Sequence, residues 1–135
     1  MGKWLKICHT GELKLVEMPD SLKDCYPVTP FLDALYRELN CDSIEIVHAR
    51  GFETFFPGAR PVIIIDECGK LKDGYENRVN GLCTLMYAPG MDCIVGDALL
   101  GAQLGPEVVP FSVALYENFA KKMVCMFSDC FIKTS

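Results

Sequence analysis

Apolar and polar residues alternate over Trp4-Leu5-Lys6-Ile7-Cys8 and over Leu13-Lys14-Leu15-Val16, the second run carrying charge at Glu12, Lys14 and Glu17. His9-Thr10-Gly11-Glu12 lies between them, with glycine where a tight turn needs positive φ. A period of two on either side of such a turn predicts an N-terminal β-hairpin, ended by Pro19-Asp20-Ser21. Thr29-Pro30 then reads as a helix start, threonine as N-cap and proline at the first helical position. Phe31, Leu32, Leu35, Tyr36 and Leu39 follow at helical spacing, with Asp33, Arg37 and Glu38 on the other face and Asn40 as the stop. Ser43 to His48 alternates again and predicts a strand with Ile44 and Ile46 on one face.

The most apolar short run is Val62-Ile63-Ile64-Ile65, which predicts a central buried strand. It breaks abruptly into Asp66-Glu67-Cys68-Gly69-Lys70, an exposed turn. Asp73-Gly74 turns the chain, and Asn77 is placed to cap a short helix carrying Val79, Leu82, Cys83 and Met86, which Ala88-Pro89-Gly90 ends. Cys93 to Gly101 reads as one further strand, whose small residues let another group approach the backbone. Gly105-Pro106 closes this section. From Pro110 the period becomes helical, with Phe111, Leu115, Phe119, Met123 and Phe127 on one face, Glu117, Asn118, Lys121 and Lys122 opposite, and Ser112 as a candidate N-cap. This helix is expected to cover the chain's own sheet, with pairing against another chain as the alternative. The pattern predicts an α+β fold: a mixed or antiparallel sheet of about five strands with two or three helices packed on one face.

Composition narrows the function classes. A chain of 135 residues, half of them hydrophobic, suits one domain over 1–135 with a real core. The net charge of −5 gives little attraction to nucleic-acid phosphates, so DNA is not an expected partner. Eight cysteines invite a disulfide reading. However, the start of the chain lacks the pattern of a secretion signal, and several cysteines fall inside apolar runs. They are expected to be reduced thiols serving as small hydrophobes in the cytoplasm. No Cys-x-x-Cys occurs and His9 and His48 lie far apart, so neither a metal nor a cofactor is expected. No run reaches the length of a membrane span.

Catalytic signatures are missing. Gly96, Gly101 and Gly105 match neither phosphate-loop nor dinucleotide spacing. Asp66 and Glu67, adjacent on an extended segment, point to opposite faces. Cys83 and His48 are better read as core residues than as a nucleophile and base. What remains is a polar group after the apolar strand. Lys70, Asn77 and Arg78 stand near an aromatic stretch holding Arg50, Phe52, Phe55, Phe56 and Arg60. Arginine pairs with phosphate through two parallel hydrogen bonds, asparagine reads a base or ribose edge, and phenylalanine stacks on a base. These residues are candidates for a nucleotide site. Each also has a structural reading: Asn77 as a cap, Arg78 paired with Asp66 or Glu76, and the aromatic stretch folded over the core.

Three stretches resemble one known family. They are Val62-Ile-Ile-Ile-Asp66-Glu67-Cys-Gly69-Lys70-Leu71, then Asn77-Arg78, then Asp92-Cys-Ile-Val-Gly96-Asp97-Ala-Leu-Leu-Gly101. With Ile44-Glu45-Ile46-Val47 before them, they resemble the domain of unknown function 3846, small proteins of gut bacteria, phages and mobile elements. The likeness runs from about Lys3 to Ala102, suggesting a family-like core over 1–105 and a helical C-terminal extension over 106–135. It adds Asp97 to the candidate site. Three departures stand out: Tyr75-Glu76 in place of a proline before Asn-Arg, a longer aromatic insert at 51–60, and the extended tail. The resemblance implies no activity, only a mobile-element setting in which small acidic proteins counter host defence. The function expected is therefore non-enzymatic: sequestration of a nucleotide-type immune signal in the host cytoplasm by a homo-oligomer. A protein–protein inhibitor acting through its acidic surface and aromatic loop is the alternative, and a hydrolase of such a signal the third reading.

Overall fold

The computed structural model describes residues 2–18, 30–56, 58–87 and 93–126. Six strands among them form one sheet: β1 (Gly2–Ile7), β2 (Leu13–Met18), β3 (Ile44–His48), β4 (Arg60–Asp66), β5 (Ala98–Leu104) and β6 (Glu107–Val109). The order is β2-β1-β5-β4-β3, every pairing is antiparallel, and β6 pairs with β5 at Ala102–Leu104, beyond the Ala98–Leu100 stretch that pairs with β1. The helices are α1 (Pro30–Leu39), α2 (Gly81–Tyr87) and α3 (Val113–Met126). The fold is the expected α+β.

Side-chain alternation divides the sheet into two buried faces. Leu5, Ile7, Ile63, Ile65, Ala98, Leu100 and Ala102 look to one side, where Cys83 and Met86 of α2 and Tyr116, Phe119 and Met123 of α3 cover them. Trp4, Val62, Ile64 and Leu99 look to the other, where Leu35 and Leu39 of α1 close over them. The expectation that the helices pack on one face is corrected here: α2 and α3 share one face and α1 takes the opposite one, because the central strands are apolar on both sides. A strand buried on both sides cannot alternate, which is why Val62–Ile65 reads as an unbroken apolar run.

The centre of the sheet is β5, with β4 beside it. Its start differs from the expected Cys93–Gly101 strand. Gly96 takes φ 87° and separates Ala98–Leu104 from Val95, which makes a lone bridge to Val79. Gly101 admits a close neighbour as its small size suggested: a Cβ there would lie 2.5 Å from Trp4 Cζ3 and 2.9 Å from the Val109 carbonyl oxygen. The division expected at 105/106 falls within the β5–β6 hairpin, where Gly105 turns the chain at φ 56°. The sheet therefore runs past Pro106 before the helical tail begins.

The N-terminal hairpin forms as read, with Gly11 at φ 97°. Helix α1 begins at Pro30 and stops at Asn40, which takes φ 52°. Thr29 and residues 22–28 lie outside the described residues, as do Phe127 and the expected stop at 88–90. Ser112 caps α3, its Oγ accepting the Leu115 N–H at 3.2 Å. Phe119 and Met123 are buried under α3 against the sheet, as expected, while Phe111 precedes the helix and Tyr116 shares the buried face. The Tyr116 hydroxyl donates to the Leu100 carbonyl at 2.7 Å and accepts the Phe111 N–H at 2.9 Å, fixing α3 to β5.

Candidate functional site

The β4 strand delivers Asp66 to the end of the sheet, 7% exposed. Its Oδ1 accepts the Cys68 N–H at 2.9 Å, an Asx-type turn, and its Oδ2 lies 2.8 Å from Lys72 Nζ. Lys72 also donates to the Asn40 carbonyl at 2.9 Å, so one ammonium ties the β4 turn to the end of α1. Gly74, at φ 72°, then leads into a 3-10 turn over Tyr75–Arg78. The Arg78 carbonyl accepts the Gly96 N–H at 2.7 Å, holding this turn against the segment before β5.

Asn80, 1% exposed, locks the arrangement. Its Nδ2 donates to the carbonyls of Ile7 (2.9 Å) and Gly96 (3.0 Å), and its Oδ1 accepts the Cys83 N–H at 3.1 Å. It thereby caps α2 and joins it to β1 and to the approach of β5. Thr84 Oγ1 extends the clasp, donating to the Asn80 carbonyl at 2.8 Å and accepting the Ile94 N–H at 2.9 Å. The cap expected at Asn77 thus belongs to Asn80: Asn77 sits in the 3-10 turn, exposed, and Val79 precedes the helix. Asn80 stood three residues later in the same polar stretch. The N-cap preference alone does not choose between two asparagines, because either one leaves Leu82, Cys83 and Met86 at helical spacing.

Between these elements lies a cleft of about 360 Å³, whose polar lining includes His9, Asp66, Lys72, Asp73, Arg78 and Asp97. Arg78 Nη2 donates to the Asp73 carbonyl at 3.2 Å, and among the described residues the guanidinium has no carboxylate partner. Asp66, one partner anticipated for it, is taken by Lys72. Asp97 accepts the His9 N–H on Oδ1 at 3.0 Å, while its Oδ2 lies 3.6 Å from Lys6 Nζ. Lys6 in turn bonds Glu38 of α1 at 3.0 Å. Burial opposes the Lys6 charge, but the Glu38 hydrogen bond and the charges of Glu38 and Asp97 outweigh it and hold the ammonium above its ordinary pKa. Lys6, Lys72 and Asn80 were missed in the sequence because their ties to Glu38, to Asn40 and to Ile7 and Gly96 reach 16 or more residues along the chain.

Lys70 lines a neighbouring hollow of about 200 Å³ with Glu45, Glu67, Tyr87 and Cys93, and this hollow shares Asp66, Gly69 and Val95 with the cleft. The remaining candidates are elsewhere. Arg60 opens β4 at the end opposite Asp66, and Arg50 begins a 3-10 turn over Arg50–Phe55; both are exposed and neither lines the cleft. Phe56 is a core side chain, 1% exposed, stacked on Phe111 at 4.5 Å and 5.4 Å from the Phe119 ring. The reading of that stretch as folded over the core therefore holds at Phe56. The side chains of Phe52 and Phe55 lie outside the described residues. A third hollow, of about 520 Å³ and mostly apolar, lies between the first hairpin turn, Leu82 and Met123, and no Lys, Arg, Asp or Glu is among its described lining residues.

The described cysteines, Cys8, Cys41, Cys68, Cys83 and Cys93, carry free thiols. Cys83 is fully buried, and burial together with the charge of Asp97 pushes its thiol well above the ordinary range, which keeps it out of the thiolate form a nucleophile needs. Burial also raises Cys8 and Cys41. Among the described residues no helix is long and apolar enough to cross a membrane. No family model matches the chain, and no curated protein or solved structure matches it.

Proposed function

We propose that this chain is a non-enzymatic binding protein that sequesters a small nucleotide-type ligand in the cleft beside Arg78, acting as an oligomer in the host cytoplasm on behalf of a phage or mobile element. The observation that carries this reading is Arg78 itself. This guanidinium lines a polar cleft in a chain of net charge −5, and among the described residues no carboxylate pairs with it. Such a group suits a phosphate oxygen pair. Tyr87 lines the adjoining hollow, which shares Asp66 and Gly69 with the cleft, and an aromatic ring is a side chain on which a base stacks. The cleft volume stands near the lower end of the roughly 300–1,000 Å³ common for ligand sites, which favours a mononucleotide over a larger signal.

One feature favours the second reading, an inhibitor that docks on another protein. Leu71, on a 3-10 turn over Gly69–Leu71, is 83% exposed at the same end of the sheet. Incubation with a panel of nucleotides, cyclic nucleotides and ADP-ribose derivatives, followed by washing and heat denaturation, separates the readings. Sequestration predicts that one compound is retained and released intact at close to one per site. Chemical change of the compound indicates a hydrolase, and retention of none overturns the nucleotide reading.

A further inference from the structure

The cleft that holds Arg78 is not a basin of positive charge. Its lining sets Lys72 and Arg78 against Asp66, Asp73 and Asp97, a balance that disfavours a bare polyphosphate. The three carboxylates differ in what they have left to offer. Asp66 is 7% exposed and engaged through both oxygens, by the Cys68 N–H and by Lys72. Asp73 is exposed on a turn, open to solvent. Asp97 is half-buried, its side chain 27% exposed. A carboxylate has about four acceptor positions. Among the described residues Asp97 makes one hydrogen bond, from the His9 N–H at 3.0 Å, and one looser ion pair, with Lys6 at 3.6 Å. It keeps acceptor capacity at the wall of the cleft. Arg78 and Asp97 stand on neighbouring segments, since the Gly96 N–H bonds the Arg78 carbonyl at 2.7 Å. Their side chains are tied to different places, Arg78 to the Asp73 turn and Asp97 to the turn after β1 at His9 and to Lys6 of β1.

We propose that the cleft selects a guanine nucleotide, with Arg78 taking the phosphate and Asp97 accepting the paired N–H groups of the guanine edge. The proposal rests on the reading of this cleft as a nucleotide site and adds the identity of the base. Guanine presents N1–H and an exocyclic amine side by side, the donor pair that one carboxylate accepts. Adenine presents an acceptor at N1 and is disfavoured by the same group. Hypoxanthine keeps N1–H and lacks the amine, so it offers a carboxylate one bond in place of two.

Equilibrium dialysis with GMP, IMP, AMP and inorganic phosphate tests this on the wild-type chain and on Asp97→Asn and Arg78→Ala. The asparagine variant keeps an oxygen for the His9 N–H and turns an amide NH₂ toward guanine's donors. The wild type should prefer GMP to IMP and to AMP by about tenfold or more, the worth of one charge-assisted hydrogen bond. Asp97→Asn should lose most of the preference for GMP over IMP, while a thermal melt stays close to wild type. Arg78→Ala should weaken all three nucleotides together. Equal binding of GMP, IMP and AMP, still sensitive to Arg78→Ala, overturns guanine selection and leaves the nucleotide reading standing. Binding of none overturns both. Should Asp97→Asn fail to fold, the GMP, IMP and AMP ranking of the wild type decides the matter alone.

Discussion

Lys72 Nζ lies 2.8 Å from Asp66 Oδ2, and with this pairing made Arg78 has no carboxylate partner among the described residues. The sequence offered Asp66 or Glu76 as a partner for Arg78 and left the choice open. The fold resolves it by turning Asp66 back onto its own Asx turn and by drawing Lys72 over to the Asn40 carbonyl at the end of α1. The guanidinium is then left facing the cleft.

Asn80→Ala removes three hydrogen bonds at a site 1% exposed and leaves the carbonyls of Ile7 and Gly96 without their donor. Loss of the α2 cap adds to the cost of those unpaired groups. A destabilisation of about 3 kcal/mol or more is expected in urea denaturation. A change below about 0.5 kcal/mol, the range of ordinary surface substitutions, would show that Asn80 is not the clasp between α2, β1 and β5.

Gly101→Ala drives a methyl group into the Trp4 ring and the Val109 carbonyl. Trp4 is fully buried and the obstructing oxygen is backbone, so neither yields easily. The variant should lose about 1–3 kcal/mol in thermal or urea melts. Combining it with Trp4→Phe should recover part of the loss, because the smaller ring vacates some of the space; equal losses in both backgrounds would remove Trp4 as the cause.

Stability is expected to fall at alkaline pH. Burial raises Cys83 and Tyr116 above their ordinary values of 9.0 and 10.0, and Lys6 is held above 10.5 by Glu38 and Asp97 despite its burial. Each folded-state group retains its proton where the unfolded chain has released it. Their contributions are therefore complete below pH 9 and decline as pH rises past 9 toward and beyond 11. Urea midpoints measured across that range should drop. Cys83→Ser should shift the first part of the drop; an unchanged midpoint up to pH 10.5 would contradict the burial of the thiol.

What was legible in the sequence follows from how local each signal is. The first hairpin, the Pro30 start and Asn40 stop of α1, and the Ser112 cap are each written within a few residues, and the structure agrees with them. The unbroken run Val62–Ile65 announced a strand buried on both faces, but not that Cys93–Gly101 would be split by Gly96. A glycine within an apolar run looks the same whether it turns the chain, as Gly96 does, or admits a ring, as Gly101 does. The candidate site was half visible. Arg78 and Asp97 do line one cleft and Lys70 the adjoining hollow, whereas Phe56, which reads as a stacking platform, is spent in the core against Phe111 and Phe119. Aromatic content alone does not say which way a ring turns. Lys72 and His9 come to the cleft from elsewhere, by the tie to Asn40 and the antiparallel placement of β1 beside β5.

Titration calorimetry of GMP into the wild-type chain and into Arg78→Ala, with a thermal melt of each, tests the central claim most directly. Among the described residues Arg78 makes one exposed side-chain hydrogen bond and no ion pair, so its removal should leave the melting temperature nearly unchanged. Binding should weaken by about 2–4 kcal/mol, the worth of a phosphate–guanidinium contact in a partly enclosed site. Equal GMP affinity in the two proteins, or no measurable GMP binding by the wild type, would contradict the account.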